Sequence, residues 1–449
     1  MTDFDVIVLG GGPAGEHCAA RLAEGGLRVA IVERELLGGE CSYWGCIPSK
    51  TLVRPGEALQ AACEAPGARE AVRGSIDAAA AFAWRDFMVS GYDDAGQAAW
   101  ARDAGIELLR GAGRLDGPGR VRVGDAVYSA ADVVIATGSD PVIPPVPGLR
   151  ELDGLWTNRE ATGLTELPRR LLVLGGGAVG LELGQALARM GASVAIVEGM
   201  QHLLPREPAP LGDAIAQALA ADGVELYLGR QAASARREGG DYVLELADGT
   251  ELRGDRLLVA TGRRARVAGL GLESVGIEPG RSGIAVDARM RAGDGVWAIG
   301  DVTGIWPLTY VGKYQGRVAA ANILGSSREA DYTAVPRVVF TDPHAAAVGA
   351  PEGPVTVTVP LAEVPRTATY TRAYDIKPGF MTLISDGERL TGAYAVGPEA
   401  GEWLQQATLA IRARVPLHVI DDVIQPFPTF SEAFLHALQA LDVRQPVAA

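Results

Sequence analysis

A strand, a glycine-rich turn, a helix and a second strand ending in an acid follow one another twice in this chain. This repeat limits the fold more than any other feature. In the first copy an apolar run at residues 4–9 leads into Gly10-Gly11-Gly12-Pro13-Ala14-Gly15 and a short amphipathic helix. A second apolar run at residues 27–32 then ends at Glu33. Continuous apolar runs bounded by glycine predict buried parallel strands.

The second copy repeats this order farther along the chain. Residues 171–174 lead into Gly175-Gly176-Gly177-Ala178-Val179-Gly180, and a strand predicted at 193–197 ends at Glu198. Twenty-three positions separate the first glycine from the acid in both copies. Each copy is later followed by an apolar strand that ends in Ala-Thr-Gly. Chance does not produce this agreement, so we infer an internal duplication.

Each copy has the glycine spacing that binds a dinucleotide. The first glycine makes a tight turn, the second lets the backbone approach a pyrophosphate, and the third packs the helix against the strand. The helix N-terminus stabilises the phosphates, and the acid binds the ribose hydroxyls. We therefore predict an α/β protein with two Rossmann-like domains. The predicted binding residues are Gly10, Gly12, Gly15, Glu33, Thr137 and Gly138 in the first copy and Gly175, Gly177, Gly180, Glu198 and Gly262 in the second.

Two cysteines lie five positions apart in the segment Gly38-Gly39-Glu40-Cys41-Ser42-Tyr43-Trp44-Gly45-Cys46-Ile47-Pro48-Ser49-Lys50. On a regular helix their Cα atoms would be about 8–9 Å apart, whereas a disulfide needs about 4.4–6.8 Å. A bond between Cys41 and Cys46 therefore requires an irregular turn, which Gly45 permits. A disulfide in such a turn is easier to reduce than a structural one. For two cysteines taken alone, the alternatives are a structural disulfide or a pair of buried thiols.

This segment resembles the redox motif of the pyridine nucleotide-disulfide oxidoreductases, flavoproteins that include dihydrolipoamide dehydrogenase and glutathione reductase. The resemblance covers essentially the whole chain. It implies that the two dinucleotides are FAD and NAD(H). NADP(H) is less favoured, because Glu198 would repel a 2′-phosphate. The resemblance also implies that Cys46 is the thiol nearest the flavin, and that Cys41 exchanges with the acceptor.

Three further roles follow from the resemblance. Lys50 is expected to contact the flavin ring and to pair with Glu182, and Asp301 is expected to bind the ribityl chain. The alternative for Glu182 is an exposed helix acid, and for Asp301 a simple turn residue.

The resemblance and the connecting segments predict three domains. The C-terminal domain is expected to be α+β, to pair two subunits and to give each active site a segment from its partner; a monomer with an appended ligand module is the alternative. Alternating residues predict strands near 355–359, 368–371, 379–384 and 390–396, followed by two helical stretches. The predicted boundaries are 1–147 and 269–330 for the FAD-binding domain, 148–268 for the NAD(P)-binding domain and 331–449 for the C-terminal domain.

The C-terminal segment departs from the family pattern His-Pro-Thr-x-x-Glu. In that pattern the histidine is the acid and base for the substrate thiol, and the glutamate orients it. Here Phe427 replaces the histidine, whereas Glu432 is kept. Phenylalanine cannot transfer a proton, and general acid–base catalysis is worth about 10²–10⁴-fold. We therefore expect slow exchange with disulfides unless another base, such as His436, takes over.

Two kinds of acceptor remain compatible with the sequence. One is a disulfide or dithiol reached with altered proton transfer, and the other is a quinone or a metal ion. Tyr43, Trp44, Phe427 and Phe430 could form an aromatic site for a planar acceptor, or could pack together without a ligand. A redox-sensing flavoprotein is a third hypothesis. Residues 441–449 contain no cysteine, which argues against a mercuric reductase.

The composition limits the partners. A net charge of −14 disfavours nucleic acid and anionic membranes. No apolar run is long enough to predict membrane insertion, and the acidic N-terminus does not resemble a signal peptide. Four cysteines among 449 residues fit a reducing cytoplasm. We expect a small-molecule electron acceptor, a homodimer and no resident metal.

Overall fold

The computed structural model describes residues 2–370 and 378–441. The chain divides into two compact units. The first comprises Met1–Pro48, Ala83–Val142 and Gly262–Asp331, and the second comprises Ser49–Phe82, Ile143–Thr261 and Tyr332–Ala449. None of the described helices is both long and apolar enough to cross a membrane.

The strands are distributed along almost the whole chain. In chain order they are β1 Phe4–Leu9, β2 Val29–Glu33, β3 Ile106–Arg110, β4 Gly113–Leu115, β5 Arg120–Val123, β6 Ala126–Ile135, β7 Ser139–Pro141, β8 Arg170–Leu174, β9 Ser193–Glu198, β10 Glu225–Leu228 and β11 Ala232–Glu238. They continue with β12 Asp241–Leu246, β13 Glu251–Gly254, β14 Arg256–Val259, β15 Arg263–Ala265, β16 Arg291–Gly293, β17 Val296–Ala298, β18 Arg337–Val339, β19 His344–Gly349, β20 Val355–Pro360, β21 Phe380–Ser385 and β22 Leu390–Gly397.

The helices are interspersed among these strands. They are α1 Pro13–Glu24, α2 Gly39–Tyr43, α3 Cys46–Glu64, α4 Ala78–Met88, α5 Ala95–Asp103, α6 Asn158–Thr162, α7 Ala178–Arg189, α8 Ala209–Ala221, α9 Thr309–Ile323, α10 Pro365–Tyr370, α11 Ala400–Trp403, α12 Gln405–Arg412, α13 Leu417–Asp421 and α14 Glu432–Ala440. Short 3₁₀ turns occur at Arg69–Ala71, Ser90–Tyr92, Leu272–Val275, Gly300–Thr303 and Leu361–Glu363.

The first unit is built on a sheet in the order β16-β17-β6-β1-β2-β3. Strand β1 lies parallel to both of its neighbours, with Val6 opposite Val29 of β2 and Asp132 of β6. Helices α1 and α9 approach each other so closely that a Cβ at Gly316 would lie 2.9 Å from the carbonyl oxygen of Ala14. The strands predicted near 4–9 and 27–32 are thus confirmed, and α1 begins directly after β1.

In the described part of the chain, the second unit contains three sheets. The parallel sheet β10-β9-β8-β14 has the same strand, glycine turn and helix order as the first unit. The antiparallel sheet β11-β12-β13 is formed by the segment between β10 and β14. The C-terminal part forms the antiparallel sheet β18-β19-β22-β21-β20, whose core includes buried residues of helices α11–α14. The predicted α/β class, with an α+β C-terminal part, is confirmed.

One predicted strand is wrong. Residues 368–370 belong to helix α10, and Thr371 lies outside the described residues. Pro365 is the first residue of α10, a position that suits proline because the missing N–H is not needed there. Four alternating residues are too few to distinguish a strand from a helical turn. The strands predicted near 355–359, 379–384 and 390–396 form β20, β21 and β22.

Candidate active site

The two glycine turns are shaped by the same close contacts. Gly10 has a φ of 107°, and a Cβ on it would overlap the carbonyl oxygen of Ala136. A Cβ on Gly15 would overlap the carbonyl oxygen of Gly10. In the second copy the corresponding overlaps would be Gly175 with Ala260 and Gly180 with Gly175. Only glycine therefore allows each helix to start against the end of its strand.

The middle glycine of each turn has a different environment. Gly12 and Gly177 are the N-caps of α1 and α7, and a Cβ on either would meet no heavy atom within 4 Å. The open space beside each of these glycines, called the cradle below, lies at a helix N-terminus. There the backbone N–H groups and the helix dipole favour an anion. Both cradles fit the pyrophosphate of a dinucleotide.

The acid of each copy is fixed by backbone N–H groups. Glu33 accepts hydrogen bonds from the N–H of Gly11 at 2.8 Å and from that of Glu35 at 2.8 Å. Glu198 accepts the equivalent bonds from Gly176 at 2.7 Å and Met200 at 2.8 Å. Each carboxylate is therefore oriented before any ribose binds.

Cys41 and Cys46 lie together in the first unit. Cys41 is within helix α2 and Cys46 is the first residue of α3, so the chain breaks its helix between them at Trp44 and Gly45. Both cysteines are in the thiol form, and the disulfide between them stays a prediction. Contact with Cys46 and burial hold the pKa of the Cys41 thiol above its usual range. Cys46 Sγ lies 3.3 Å from the hydroxyl of Thr309, the first residue of α9.

Lys50 and Glu182 form an ion pair in the second unit. Lys50 Nζ lies 2.7 Å from Glu182 Oε2, and only 5% of the Glu182 side chain is exposed. The other oxygen of Glu182 accepts a hydrogen bond from the backbone N–H of Phe340 at 2.9 Å. The Lys50 ammonium also lies 4.7 Å from the centre of the Phe340 ring, and the face of an aromatic ring attracts a cation. Glu182 is therefore not an exposed helix acid.

Asp301 is joined to the redox segment by a polar chain within the first unit. Its Oδ2 accepts a 2.6 Å hydrogen bond from the hydroxyl of Ser139. That hydroxyl in turn accepts a bond from Arg263 Nε at 2.8 Å. Arg263 is also 3.7 Å from the carboxylate of Glu40, directly before Cys41. In the same region, the Thr137 hydroxyl donates to the carbonyl oxygen of Arg266.

The C-terminal segment presents Phe427 to solvent. Its residue surface is 72% exposed, whereas Glu432 is buried at the start of α14 and accepts a bond from the Thr429 N–H at 3.3 Å. Phe430 packs against Trp403 and Tyr370 in the second unit, at ring distances of 6.4 and 5.3 Å. His436 lies half-buried one turn after Glu432.

Several contact residues carried no signal in the sequence. Thr309 is 263 positions from Cys46, and a single threonine at the start of a helix predicts nothing by itself. Ser139 is an ordinary residue for its position, and Phe340 belongs to a segment, 340–343, that resembles the family's interface domain without indicating a contact with Lys50. Only tertiary contacts identify them.

Glu16 lies in the first turn of α1, directly after the glycine turn. Burial raises the pKa of its carboxyl from 4.5 to about 7; nearby Lys313 opposes this shift and Glu33 adds to it. The carboxyl therefore carries a proton through the mildly acidic range.

Comparisons with known proteins agree with this geometry. A profile described as pyridine nucleotide-disulphide oxidoreductase matches residues 4–316, and the profile of its dimerisation domain matches residues 335–438. The chain belongs to the pyridine nucleotide-disulphide oxidoreductase family.

Three similar proteins illustrate the range of this family. The chain is 36% identical to a dihydrolipoyl dehydrogenase of Thermus scotoductus, over 98% of each protein. It is 35% identical to a mercuric reductase of Acidithiobacillus ferrooxidans, over 99% of this chain and 84% of that enzyme. Its fold is similar to that of RclA of Escherichia coli, an HOCl-induced flavoprotein disulfide reductase solved as a Cu(II) complex. The TM-score is 0.86 at 27% identity, over 98% of this chain and 100% of that one.

The chain is therefore an FAD-dependent NAD(P)H disulfide oxidoreductase. Its cofactors are FAD and NAD(H), as predicted. The two glycine cradles and their fixed acids are the parts of this structure that fit the cofactors' pyrophosphates and riboses.

Substituting two glycines of the second copy should separate binding from folding. Gly177→Ala adds a methyl group to open space, so the fold should persist while NADH affinity falls at least tenfold. Gly180→Ala drives a methyl group into the Gly175 carbonyl and should lower the thermal unfolding midpoint by several degrees. Cofactor titration and thermal unfolding measure the two effects. Equal NADH affinity in Gly177→Ala and the wild type would contradict the assignment of the space beside Gly177 to the NADH pyrophosphate.

The Lys50–Glu182 pair should show strong energetic coupling. Lys50→Met leaves a buried carboxylate without its cation, which should cost about 2 kcal/mol of unfolding free energy. Adding Glu182→Gln removes the buried charge and should restore more than half of that loss. A double-mutant cycle in urea measures the coupling. Simple additivity of the two substitutions would show that the pair contributes nothing.

Glu16 should make stability depend on pH. Its folded pKa is above its unfolded value, so its contribution is complete below about pH 4.5 and is lost as the pH rises through about 7. The stability of Glu16→Gln relative to the wild type should therefore rise by about 1–3 kcal/mol between pH 4 and pH 8. Unfolding curves at both pH values measure this. Exposed Glu24 on the same helix supplies the control variant, and an equal rise in Glu24→Gln would refute the assignment.

Proposed function

We propose that this enzyme transfers two electrons from NADH, through FAD, to the Cys41–Cys46 pair and then to an external acceptor. The observation that carries the proposal is the pair of contacting thiols at an irregular helix break, with Cys46 against the Thr309 hydroxyl. Bound FAD supplies the chemistry that turns hydride transfer from NADH into reduction of the disulfide. Overall, NADH, one proton and the disulfide give NAD⁺ and two thiols.

The two cysteines have different tasks in this proposal. In this proposal Cys46, the thiol nearest the flavin by resemblance, carries the thiolate of the reduced pair, whereas contact with Cys46 and burial raise the pKa of the Cys41 thiol. The Thr309 hydroxyl is placed to donate a hydrogen bond to that thiolate. Cys41 then serves as the sulfur that meets the acceptor, in agreement with the resemblance.

The ionic residues hold the cofactors. We assign Lys50 the stabilisation of negative charge at the flavin ring, with Glu182 fixing the position of the ammonium. Asp301, held by Ser139, is assigned to the ribityl chain. Glu198 favours NADH over NADPH, because both of its oxygens are fixed by backbone N–H groups and it cannot turn away from a 2′-phosphate.

The acceptor we favour is a metal ion. Reducing a disulfide requires a proton on the departing thiol, and Phe427 cannot supply one. Reducing a divalent metal ion requires no proton: NADH and two Cu²⁺ give NAD⁺, H⁺ and two Cu⁺. The similarity of the fold to RclA, solved as a Cu(II) complex, supports this choice. Residues 441–449 contain no cysteine, so Cu²⁺ is favoured over Hg²⁺. No group of three metal-binding side chains occurs in residues 2–370 and 378–441, so the ion would meet the thiols as a substrate.

We also propose a homodimer. The match to the family's dimerisation domain covers residues 335–438. Val423, Ile424 and Phe427 are exposed in the single chain within five positions of one another, and a group of exposed apolar side chains of this kind marks an interaction surface. In such a dimer each subunit would present Phe427 to the active site of its partner.

Steady-state turnover tests the acceptor. NADH oxidation should be fast with Cu²⁺ and at least 100-fold slower with lipoamide. Phe427→His should raise the lipoamide rate at least tenfold and leave the metal rate within about twofold. A wild-type lipoamide rate equal to the metal rate would show that the histidine is dispensable and that a disulfide is the substrate.

Anaerobic titration with NADH tests the cysteine pair independently of turnover. The wild type should develop a long-wavelength thiolate-to-flavin absorbance band, and Cys46→Ser should abolish it, whereas Cys41→Ser should not. Survival of the band in Cys46→Ser would show that the thiol roles are misassigned. A single reduction that no acceptor reverses would favour the redox sensor.

A further inference from the structure

A left-handed backbone turn lies beside the redox segment. Ser90, Gly91 and Tyr92 have φ values of 53°, 59° and 61°, so three consecutive residues occupy the left-handed region. Non-glycine residues rarely adopt this conformation, because their Cβ crowds the backbone there. Strain of this kind persists only where surrounding contacts enforce it, and it concentrates at functional sites.

The turn places the Tyr92 ring against the Trp44 ring. The two rings are stacked, with centroids 6.2 Å apart and an angle of 28° between their planes. The turn is itself closed by bonds from the Tyr92 N–H to the Val89 carbonyl and from the Asp93 N–H to the Ser90 carbonyl. The Tyr92 hydroxyl is buried and has no hydrogen-bond partner among residues 2–370 and 378–441, so its polar group does not explain why a tyrosine ring is held there.

Trp44 is the residue at which the chain breaks between the two cysteines. It is the C-cap of α2, and α3 begins two residues later at Cys46. The adjacent Tyr43 is fully buried and donates from its hydroxyl to the Leu37 carbonyl at 3.1 Å. Leu37 in turn donates its N–H to Asp94 at 2.6 Å, so residues 92–94 hold the redox segment on both sides of its first turn.

We propose that the left-handed turn Ser90–Tyr92 is a positioning element for the redox pair. Through the stack on Trp44 it fixes how closely Cys41 and Cys46 approach, and it thereby sets their reduction potential. This inference rests on the proposed function, in which the two cysteines form a disulfide. Without the stack, the segment between the two cysteines samples more conformations. The effective concentration of one sulfur near the other therefore falls, and the equilibrium shifts from the disulfide to the dithiol.

The test measures the thiol–disulfide equilibrium of the full-length holoenzyme. The protein is equilibrated with mixtures of reduced and oxidised dithiothreitol, quenched with an alkylating reagent, and the modification of Cys41 and Cys46 is counted by mass spectrometry. Tyr92→Ala should shift the equilibrium about tenfold toward the dithiol, which corresponds to about 30 mV. Tyr92→Phe keeps the ring and should titrate within about twofold of the wild type.

Trp44→Leu removes the other half of the stack without changing the turn, and it decides the matter if Tyr92→Ala does not fold. It should give the same shift as Tyr92→Ala, and the double variant should shift no further. Single variants that titrate like the wild type, or shifts that add in the double variant, would overturn the inference. A wild-type pair that never closes to a disulfide would instead overturn the proposed function.

Discussion

The structure depends on the contact between a strand end and a helix start where no side chain intervenes. At Gly10 and Gly15 the backbone comes so close that a single methyl group would strike a carbonyl oxygen. The helix N–H groups and their dipole are therefore directed at the space beside Gly12. The same contacts recur at Gly175 and Gly180. The same close backbone contact between a strand end and a helix start therefore forms both candidate dinucleotide sites.

The chemistry of the cysteine pair follows from a second constraint, the helix break between Cys41 and Cys46. A continuous helix would hold the sulfurs apart, and the break at Trp44 and Gly45 brings the thiols into contact. Groups from distant parts of the chain contact this segment. The Thr309 hydroxyl lies against Cys46, and Tyr92 stacks on Trp44 at the break. The reactive pair therefore needs tertiary structure although its residues are local in sequence.

In the proposed function, the phenylalanine at position 427 determines which acceptor is favoured. A pair of thiols can reduce a metal ion without a proton donor, whereas disulfide reduction requires one. The buried Glu432 remains where the family pattern places it, although the group it would orient is a hydrocarbon ring. In the proposed function, the C-terminal segment therefore lacks the acid–base group of the family pattern.

Sequence alone determined the features that rest on local pattern and on repetition. The duplicated glycine turns, the strands around them, the cysteine spacing and the missing histidine are all visible in the order of residues, because each depends on neighbours within about 25 positions. The strand expected at 368–371 failed for the opposite reason, since four alternating residues fit a helical turn equally well and Pro365 begins one. Only the tertiary structure decided that Glu182 is buried against Lys50, 132 positions away, and that Thr309 meets Cys46 across 263. It also revealed the left-handed turn under Trp44, because backbone strain and side-chain contact between distant segments leave no periodic trace in a sequence.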